Sequence, residues 1–224
     1  MQLHGGFTFD DAAVWMPYLH ALGVTHLFCS PVLQASPGST HGYDVVDHSR
    51  ISEECGGEEA FRRLLQAAHE QGIGVVVDVV PNHMAVPTPI WHNHALWDVL
   101  RRGPESAYAE WFDLDMTDSQ AILMPVLGNR IGRELEHISF TTDVINGEEQ
   151  PVVAYYDQVF PVRPGTEDLP LDELLERQWY RLAYWRIGSE ELNYRRFFDV
   201  DTLAAIRVED PAIFEATHRK LIQL

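Results

Sequence analysis

Two polar segments of this sequence contain residue types that commonly bind ligands. The first, Asp78-Val79-Val80-Pro81-Asn82-His83, completes an apolar run that predicts a buried β-strand. A carboxylate in a buried strand costs free energy unless it is paired or hydrogen-bonded, and Asn82 and His83 would fall just past the strand's end. Ligands of parallel α/β folds bind at that end, so the segment is a candidate site. A strand-ending loop with a structural aspartate explains the pattern equally well.

The second segment is Gly38-Ser39-Thr40-His41-Gly42-Tyr43-Asp44, which follows the preceding predicted strand. Gly42 allows a close approach of the backbone, and Tyr43 offers a flat apolar face with a polar tip, which suits a sugar ring. A glycine loop with one partly exposed tyrosine is the alternative. Two such loops after neighbouring strands favour a shared site at one edge of a sheet.

The elements that would position these loops follow from the hydrophobic pattern. Apolar spacing predicts helices over residues 11–22 and 58–71, each closed by a glycine, and strands over residues 24–30 and 73–80. The second strand is apolar throughout except for Asp78, which is typical of a strand buried on both faces. Alternating strands and helices at this spacing predict right-handed parallel βαβ units.

The middle of the chain is rich in turn-forming residues from 84 to 165, with β-rich stretches at 138–144 and 152–162. Helical spacing returns at 171–187, where the aromatic side chains are more typical of a core than of a sugar platform, and at 211–224 after a proline signal. The predicted divisions are therefore residues 1–86 for the first βα units, 87–170 for an inserted segment and 171–224 for a helical segment.

Composition excludes several classes of protein. The net charge is −18 among 224 residues, and so acidic a surface repels phosphate backbones, which argues against nucleic acid. No apolar run is long enough for a membrane span, and no signal peptide is visible. Two cysteines do not make a disulfide framework, so we expect a reducing, cytoplasmic setting.

Two further groups of residues have side chains that could form a site. His92 and His94 are two residues apart, but no third ligand is evident, so no metal site is predicted. The pair Arg195-Arg196 is open to two interpretations, which are binding of a substrate hydroxyl and pairing with acids such as Asp199.

Four runs of sequence carry a resemblance to a known family. Asp78 to His83 resembles the first signature of the α-amylase superfamily of glycoside hydrolases. Residues 3–9, 30–47, 78–86 and 192–199 together resemble the maltooligosyltrehalose synthase family within it. The first signature is common to many amylase-like enzymes, whereas the runs 30–47 and 193–199 resemble the trehalose-forming branch more closely.

The resemblance implies a fold and an activity. The implied fold is α/β, a partial TIM (β/α)₈ barrel of the α-amylase type (strands 1–3) with an irregular α+β insertion after strand 3. The implied enzyme is an intramolecular transglycosylase, formally an isomerase. It converts the reducing-end α-1,4 bond of a maltooligosaccharide to an α,α-1,1 bond by a retaining, two-carboxylate mechanism. No cofactor is expected.

The resemblance also implies roles for residues. Tyr43 would stack on the sugar ring in the −1 subsite, His83 would hydrogen-bond that sugar, Asp78 would order the loop and Asn82 would help to fix it. In some amylases the asparagine matching Asn82 is a calcium ligand, but no metal is predicted here because no Asp-rich partner loop is evident. The full set of candidate substrate-binding residues is Tyr43, His83, Asp78, Asn82, His41 and Asp44.

The family's nucleophile lies in a Gly-x-Arg-x-Asp segment, which these 224 residues lack. Arg207-Val208-Glu209-Asp210 is only superficially similar, because Ala205 and Glu209 replace the required glycine and aspartate. The resemblance therefore implies an N-terminal part of the enzyme, inactive alone, whose nucleophile and acid/base lie beyond Leu224. An amylase-type hydrolase fragment and a non-catalytic, glucan-binding partial barrel remain as alternatives.

Overall fold

The computed structural model describes residues 1–114 and 121–224. These form two compact units, one of residues 1–85 with 208–224 and the other of residues 86–207. Residues 115–120, which belong to the predicted insertion 87–170, lie outside the described residues. Within the described ranges, no helix has the length and apolar character needed to cross a membrane.

Helices and strands alternate along most of the chain. The helices are α1 (Phe9–Val14), α2 (Met16–Ala21), α3 (Gly57–Glu70), α4 (His94–Arg102), α5 (Ile131–Glu134), α6 (Leu171–Glu176), α7 (Gly188–Glu191) and α8 (Pro211–Ile222). The strands are β1 (His26–Cys29), β2 (Leu33–Ala35), β3 (Val45–Ile51), β4 (Gly74–Val77), β5 (His83–Ala85), β6 (Ile122–Leu127), β7 (Ile138–Ile145), β8 (Glu148–Tyr155), β9 (Gln158–Pro161), β10 (Tyr180–Tyr184), β11 (Arg196–Phe197) and β12 (Val200–Ala205). Short 3₁₀ turns cover Ile90–His92, Gly103–Glu105, Leu135–His137 and Trp185–Ile187.

The first unit is built on β1 and β4, which pair in parallel with α3 between them in sequence. This confirms the predicted parallel pairing. The prediction that the second strand is buried on both faces is wrong, because only one face of the pair is covered by described residues. Leu27 and Cys29 are buried in the core, whereas Phe28 and its partner Val76 are 56% and 45% exposed.

The predicted helix over residues 11–22 is two helices, α1 and α2, that meet at Trp15. Pro17 has no N–H to continue the ladder of α1, so the chain restarts as α2. The break changes the helical phase, and Val14 and Tyr18, which contribute to the apolar spacing that predicted one helix, are exposed. Phe9, on α1, is buried instead.

The two other helices of this unit agree with the sequence pattern. Helix α3, predicted over 58–71, buries Phe61 and Leu64, and the Phe61 ring lies 5.1 Å from that of Phe9. Helix α8 begins at the predicted proline, and the Asp210 side chain caps it by accepting from the backbone N–H of Ala212 at 2.8 Å.

The second unit contains the β-rich stretches predicted at 138–144 and 152–162. They are confirmed as an antiparallel meander of β7, β8 and β9, in which a turn at Tyr156 divides the second stretch. Strands β6 and β10 form a separate parallel pair, and β11 pairs antiparallel with β12.

The predicted helix over residues 171–187 is wrong beyond Glu176. Residues 180–184 form β10, which pairs with β6, and Tyr180 is buried with its ring 5.2 Å from that of Phe160. The Tyr180 hydroxyl donates to the carbonyl of Pro161 at 2.9 Å. Pairing and burial thus override a local spacing that resembles a helix, because propensity is a weak prior beside tertiary contacts.

Candidate functional site

Tyr43 and Asp78 meet although 35 residues separate them in sequence. The Tyr43 hydroxyl donates to Asp78 Oδ2 at 2.8 Å. This hydrogen bond to the carboxylate, together with burial and the charge of Asp78, raises the pKa of Tyr43, so the phenol stays protonated. The ring itself is 42% exposed, which leaves its flat face open to a ligand.

Gly42 sets the position of Tyr43. Its φ angle is +80°, in the left-handed region that favours glycine. A Cβ atom there would lie 2.7 Å from the carbonyl oxygen of Pro31, closer than atoms can approach. The close backbone approach predicted from the sequence is confirmed, and only glycine allows the chain to turn here next to Pro31.

His83 has a partner at each ring nitrogen. Nε2 lies 3.0 Å from the carbonyl oxygen of Tyr43, and Nδ1 lies 2.9 Å from Asn82 Oδ1. Burial lowers the pKa of His83, which favours the neutral ring. Since a carbonyl only accepts, a neutral ring that bonds Tyr43 has its proton on Nε2, and its Nδ1 can accept from Asn82 only when that amide is turned to present its NH₂ group in place of Oδ1.

The remaining candidates, His41 and Asp44, flank Tyr43. The His41 ring is stacked on that of Tyr43 with centroids 6.0 Å apart, and His41 Nδ1 lies 3.6 Å from Asp44 Oδ1. The Ser39 hydroxyl donates to Asp44 Oδ1 at 2.5 Å and accepts from the backbone N–H of Gly42 at 3.1 Å. The turn is therefore closed by its own side chains.

The structure thus brings all six candidate substrate-binding residues together, and we call them the site cluster. The cluster contains an exposed tyrosine ring together with two carboxylates and two imidazoles. An aromatic face bordered by hydrogen-bonding groups suits a neutral, polyhydroxylated ligand, for which the acidic surface is no obstacle.

The histidines after the first signature do not form a metal centre. The ring of His94 packs edge-on against Tyr108 at 5.7 Å, and that of His92 lies 3.9 Å from Trp91. Within residues 1–114 and 121–224, no three His, Cys, Asp or Glu side chains are arranged to hold a metal ion.

The arginine pair lies in ion pairs, as one of its two interpretations predicts. Arg196 pairs with Asp199 at 2.7 Å and also with Asp201, and Arg195 Nε lies 3.3 Å from Asp113 Oδ2. Pairing with Asp199 is confirmed, whereas binding of a substrate hydroxyl stays a prediction.

The segment that superficially resembles the nucleophile strand is structural. Arg207 pairs with Glu110 at 2.7 Å, while Asp210 caps α8. These two side chains are therefore engaged in contacts that stabilise the units to which they belong.

Sequence reasoning missed His48. It is 3% exposed on β3, and its Nε2 lies 2.9 Å from the carbonyl oxygen of Val80, within the first signature. The available signal was an imidazole in the Val-Val-Asp-His stretch, where a buried strand position calls for an apolar side chain.

Comparison with known proteins places the chain in a family. The model of the α-amylase catalytic domain matches residues 13–157. The chain belongs to the α-amylase family. Its mixed helices and strands agree with part of an α-amylase-type fold.

Sequence comparison identifies the branch of the family that the chain resembles. It is 42% identical over 219 residues to a Mycobacterium tuberculosis protein described as a maltooligosyl trehalose synthase, a match that covers 96% of this chain. Neopullulanase 2 of Thermoactinomyces vulgaris is 40% identical over 100 residues, or 45% of this chain.

Structure comparison agrees. The maltooligosyltrehalose synthase of Arthrobacter ramosus superposes on the whole chain with a TM-score of 0.90 and 46% identity. The predicted resemblance to this family is confirmed. The chain spans 27% of the length of the Mycobacterium protein and 28% of the Arthrobacter chain.

Proposed function

We propose that this chain forms the sugar-binding front of an enzyme that converts the reducing-end α-1,4 bond of a maltooligosaccharide to an α,α-1,1 bond. The observation that carries the proposal is the site cluster on a chain whose similarity to maltooligosyltrehalose synthases extends over 96% of its length. The similarity to a neopullulanase extends over 45% and supports a hydrolase as the second candidate.

Tyr43 is the proposed platform for the −1 sugar ring. Asp78 accepts a hydrogen bond from the Tyr43 hydroxyl. This bond fixes the orientation of the tyrosine ring on whose face the sugar would stack. The hydroxyl is thereby occupied, so Tyr43 contributes its face rather than its polar tip. His41, stacked beside it, extends the aromatic surface.

The proposed role of His83 is more constrained than the resemblance alone implies. Both ring nitrogens have partners, and Nε2 is directed at the Tyr43 carbonyl. A sugar hydroxyl can donate to Nδ1 only if the exposed Asn82 amide moves aside. His83 therefore holds Tyr43 in place in this arrangement and binds sugar by exchange with Asn82.

We infer that β1 and β4 are neighbouring strands of a (β/α)₈ barrel. The support is their parallel pairing together with the exposed apolar face of Phe28 and Val76, which barrel-interior side chains would cover. The divisions after residues 86 and 170 stay predictions, and the first lies within one residue of the boundary between the two compact units. A cytoplasmic location is supported by Cys29 and Cys55, which are buried free thiols.

The chemistry proposed for the enzyme needs two carboxylates that this chain does not offer at the site cluster. Asp78 and Asp44 both accept from neighbouring hydroxyls. The nucleophile and the acid/base are therefore expected outside these 224 residues. The chain's own contribution is to bind the sugar and to help keep water from the glycosyl-enzyme.

Product analysis of the longest protein encoded with this chain tests the proposal. Incubation with maltopentaose should remove reducing ends without shortening the oligosaccharide and should yield the NMR signals of an α,α-1,1 bond. Shorter reducing sugars as the main product would instead establish the hydrolase. The 224-residue chain alone should give neither product, and conversion by that chain would contradict the proposed placement of the two carboxylates.

A further inference from the structure

We propose that His48 is a positioning residue of the site cluster, which fixes the carbonyl of Val80 and thereby the loop that carries Asn82 and His83. The kinetic consequences of this inference rest on the proposed function. Its geometric content is independent of the reaction, because it concerns only how two backbone segments of the first unit are held together.

A bulge in β3 directs His48 toward that carbonyl. In the ladder between β2 and β3, Leu33 pairs with Ile51 but the next residue, Gln34, pairs with Asp47. Residues 48–50 are therefore extra on β3 and have no partner in β2. Bulges of this kind reorient side chains, and they are common beside active sites.

The Asp47 side chain holds the bulge in shape. Its Oδ1 accepts from the backbone N–H of Ser49 at 2.8 Å and from the Ser49 hydroxyl at 2.6 Å, and its Oδ2 accepts from Arg50 Nε at 2.8 Å. Three bonds to residues 49 and 50 fix the local backbone. His48, next to Asp47, is thereby turned inward, where it is buried, while Ser49 and Arg50 are exposed.

The Val80 carbonyl needs a donor from outside its own strand. Strand β4 ends at Val77, and the last ladder-like bond is from the N–H of Asp78 to the carbonyl of Cys29 at 2.9 Å. Val80 is buried and lies beyond the end of the ladder. His48 Nε2, at 2.9 Å, satisfies this buried acceptor.

The two imidazole–carbonyl bonds are reciprocal. His83 donates from Nε2 to the carbonyl of Tyr43, and His48 donates from Nε2 to the carbonyl of Val80. Segments 43–48 and 80–83 are thus fastened to each other at both ends. Loss of the bond from His48 frees one end of the loop and allows His83 to drift from Tyr43.

The bond requires a proton on Nε2 of His48, and the surroundings of the ring favour its neutral form. No polar group of residues 1–114 and 121–224 hydrogen-bonds Nδ1, so a second proton there would be buried without an acceptor. The titratable groups that act on the ring are Asp47 on its own strand, His83 and, on α8, His218. Burial outweighs the attraction of Asp47 and lowers the pKa of His48.

The test compares His48→Phe and His48→Gln in the longest protein encoded with this chain. Phenylalanine fills the site without a donor, whereas the glutamine amide can still donate to Val80. We expect kcat with maltopentaose to fall about 10- to 100-fold in His48→Phe, at the scale of other lost positioning contacts, with KM nearly unchanged. His48→Gln should recover most of kcat.

A crystal structure of His48→Phe provides the measurement that does not depend on activity. The distance from His83 Nε2 to the Tyr43 carbonyl should exceed hydrogen-bonding range. If that distance stays at the 3.0 Å of the unmodified chain, the positioning role is overturned. If the unmodified protein proves to have no mutase activity, the proposed function fails, but this distance still decides the role of His48.

Two further variants guard against loss of folding and non-specific effects. Asp47→Ala keeps the imidazole but removes the bonds that hold the bulge, so it should also lower kcat. It serves as the test if His48→Phe does not fold. Thr166→Val removes a buried hydroxyl that donates to the Arg163 carbonyl at 2.7 Å in the second unit. It should lower the Tm without changing kcat; an equal loss of kcat in Thr166→Val would overturn the assignment.

Discussion

The site cluster with His48 and the segment at residues 195–201 are stabilised in different ways. The site cluster and His48 are linked by hydrogen bonds from imidazole and phenol groups to the buried carbonyl of Val80, to the partly buried carbonyl of Tyr43 and to one carboxylate. The segment at residues 195–201 is linked by arginine–aspartate ion pairs whose acids are largely exposed. Both regions are rich in polar residues, but only the site cluster uses them to orient an open aromatic face.

This difference determines where substitutions should matter. An exposed ion pair contributes about 0–1 kcal/mol and is screened by salt. A buried carbonyl that loses its donor costs about 1–3 kcal/mol, and the displaced side chains also lose their geometry. We therefore expect activity to depend steeply on the hydrogen bonds of the site cluster and His48, and only weakly on the ion pairs at residues 195–201.

The largest effect is expected for His83→Ala in the longest protein encoded with this chain. Loss of the group that we propose to bind the reacting sugar, and that bonds the Tyr43 carbonyl, should reduce kcat by about 100-fold or more while the protein stays folded. Steady-state kinetics with maltopentaose and circular dichroism provide the measurement. Asn82→Ala, which removes a neighbouring exposed side chain, should have a smaller effect; unchanged turnover in His83→Ala would remove this residue from the site.

A large effect on stability is expected for Gly42→Ala. The new Cβ would approach the Pro31 carbonyl to 2.7 Å at a φ of +80°, so we expect a loss of about 1–3 kcal/mol in the free energy of unfolding, measured in urea. Gly72→Ala is the matched control, because its φ is +67° and no atom lies within 4 Å of the added Cβ. Equal losses in the two variants would show that Pro31 does not constrain the turn.

A pH dependence of stability follows from His48 and His83. Burial lowers the pKa of both rings below the ordinary 6.5, so between the folded and unfolded pKa values the unfolded chain binds more protons. The contribution of these two rings to the free energy of unfolding is therefore fully present above about pH 6.5. It falls as the pH drops toward about 5, before most carboxylates titrate. Thermal unfolding at several pH values measures this slope, which should be shallower in His48→Gln; a Tm that rises on acidification would contradict the assignment.

The smallest effect is expected for Arg196→Gln, which removes the ion pairs with Asp199 and Asp201. Asp199 and Asp201 are 89% and 52% exposed, and glutamine keeps part of the stem of the Arg196 side chain, which is only 15% exposed, so we expect a loss of at most about 1 kcal/mol, which shrinks further in about 1 M salt. Urea unfolding at two salt concentrations measures it. A loss of about 3 kcal/mol or more would mean that this segment behaves as a buried network. The contrast between the site cluster and residues 195–201 would then be wrong.

The sequence predicted those parts of the fold in which local pattern and tertiary contacts agree. Helix α3 and the parallel pair of β1 with β4 follow directly from apolar spacing. The break at Trp15 and the strand at residues 180–184 were missed, because a proline in the second position of a helix and pairing with β6 override spacing that resembles a continuous helix.

The candidate site was predictable in its residues but not in its connections. Loop position and side-chain type identified Tyr43, Asp78 and His83. The link between the Tyr43 hydroxyl and Asp78 spans 35 residues, and the inward turn of His48 depends on a bulge that no periodicity reveals. Such links depend on register, which an isolated sequence does not specify.

The most direct test of the central claim is a crystal structure of the longest protein encoded with this chain, soaked with a maltooligosaccharide. The account predicts a glucose ring lying flat on Tyr43, with carbon atoms of sugar and phenol within about 4.5 Å of each other. The Tyr43 hydroxyl should remain bonded to Asp78. A sugar bound elsewhere, with the face of Tyr43 free, would contradict the assignment of the site cluster to the −1 subsite.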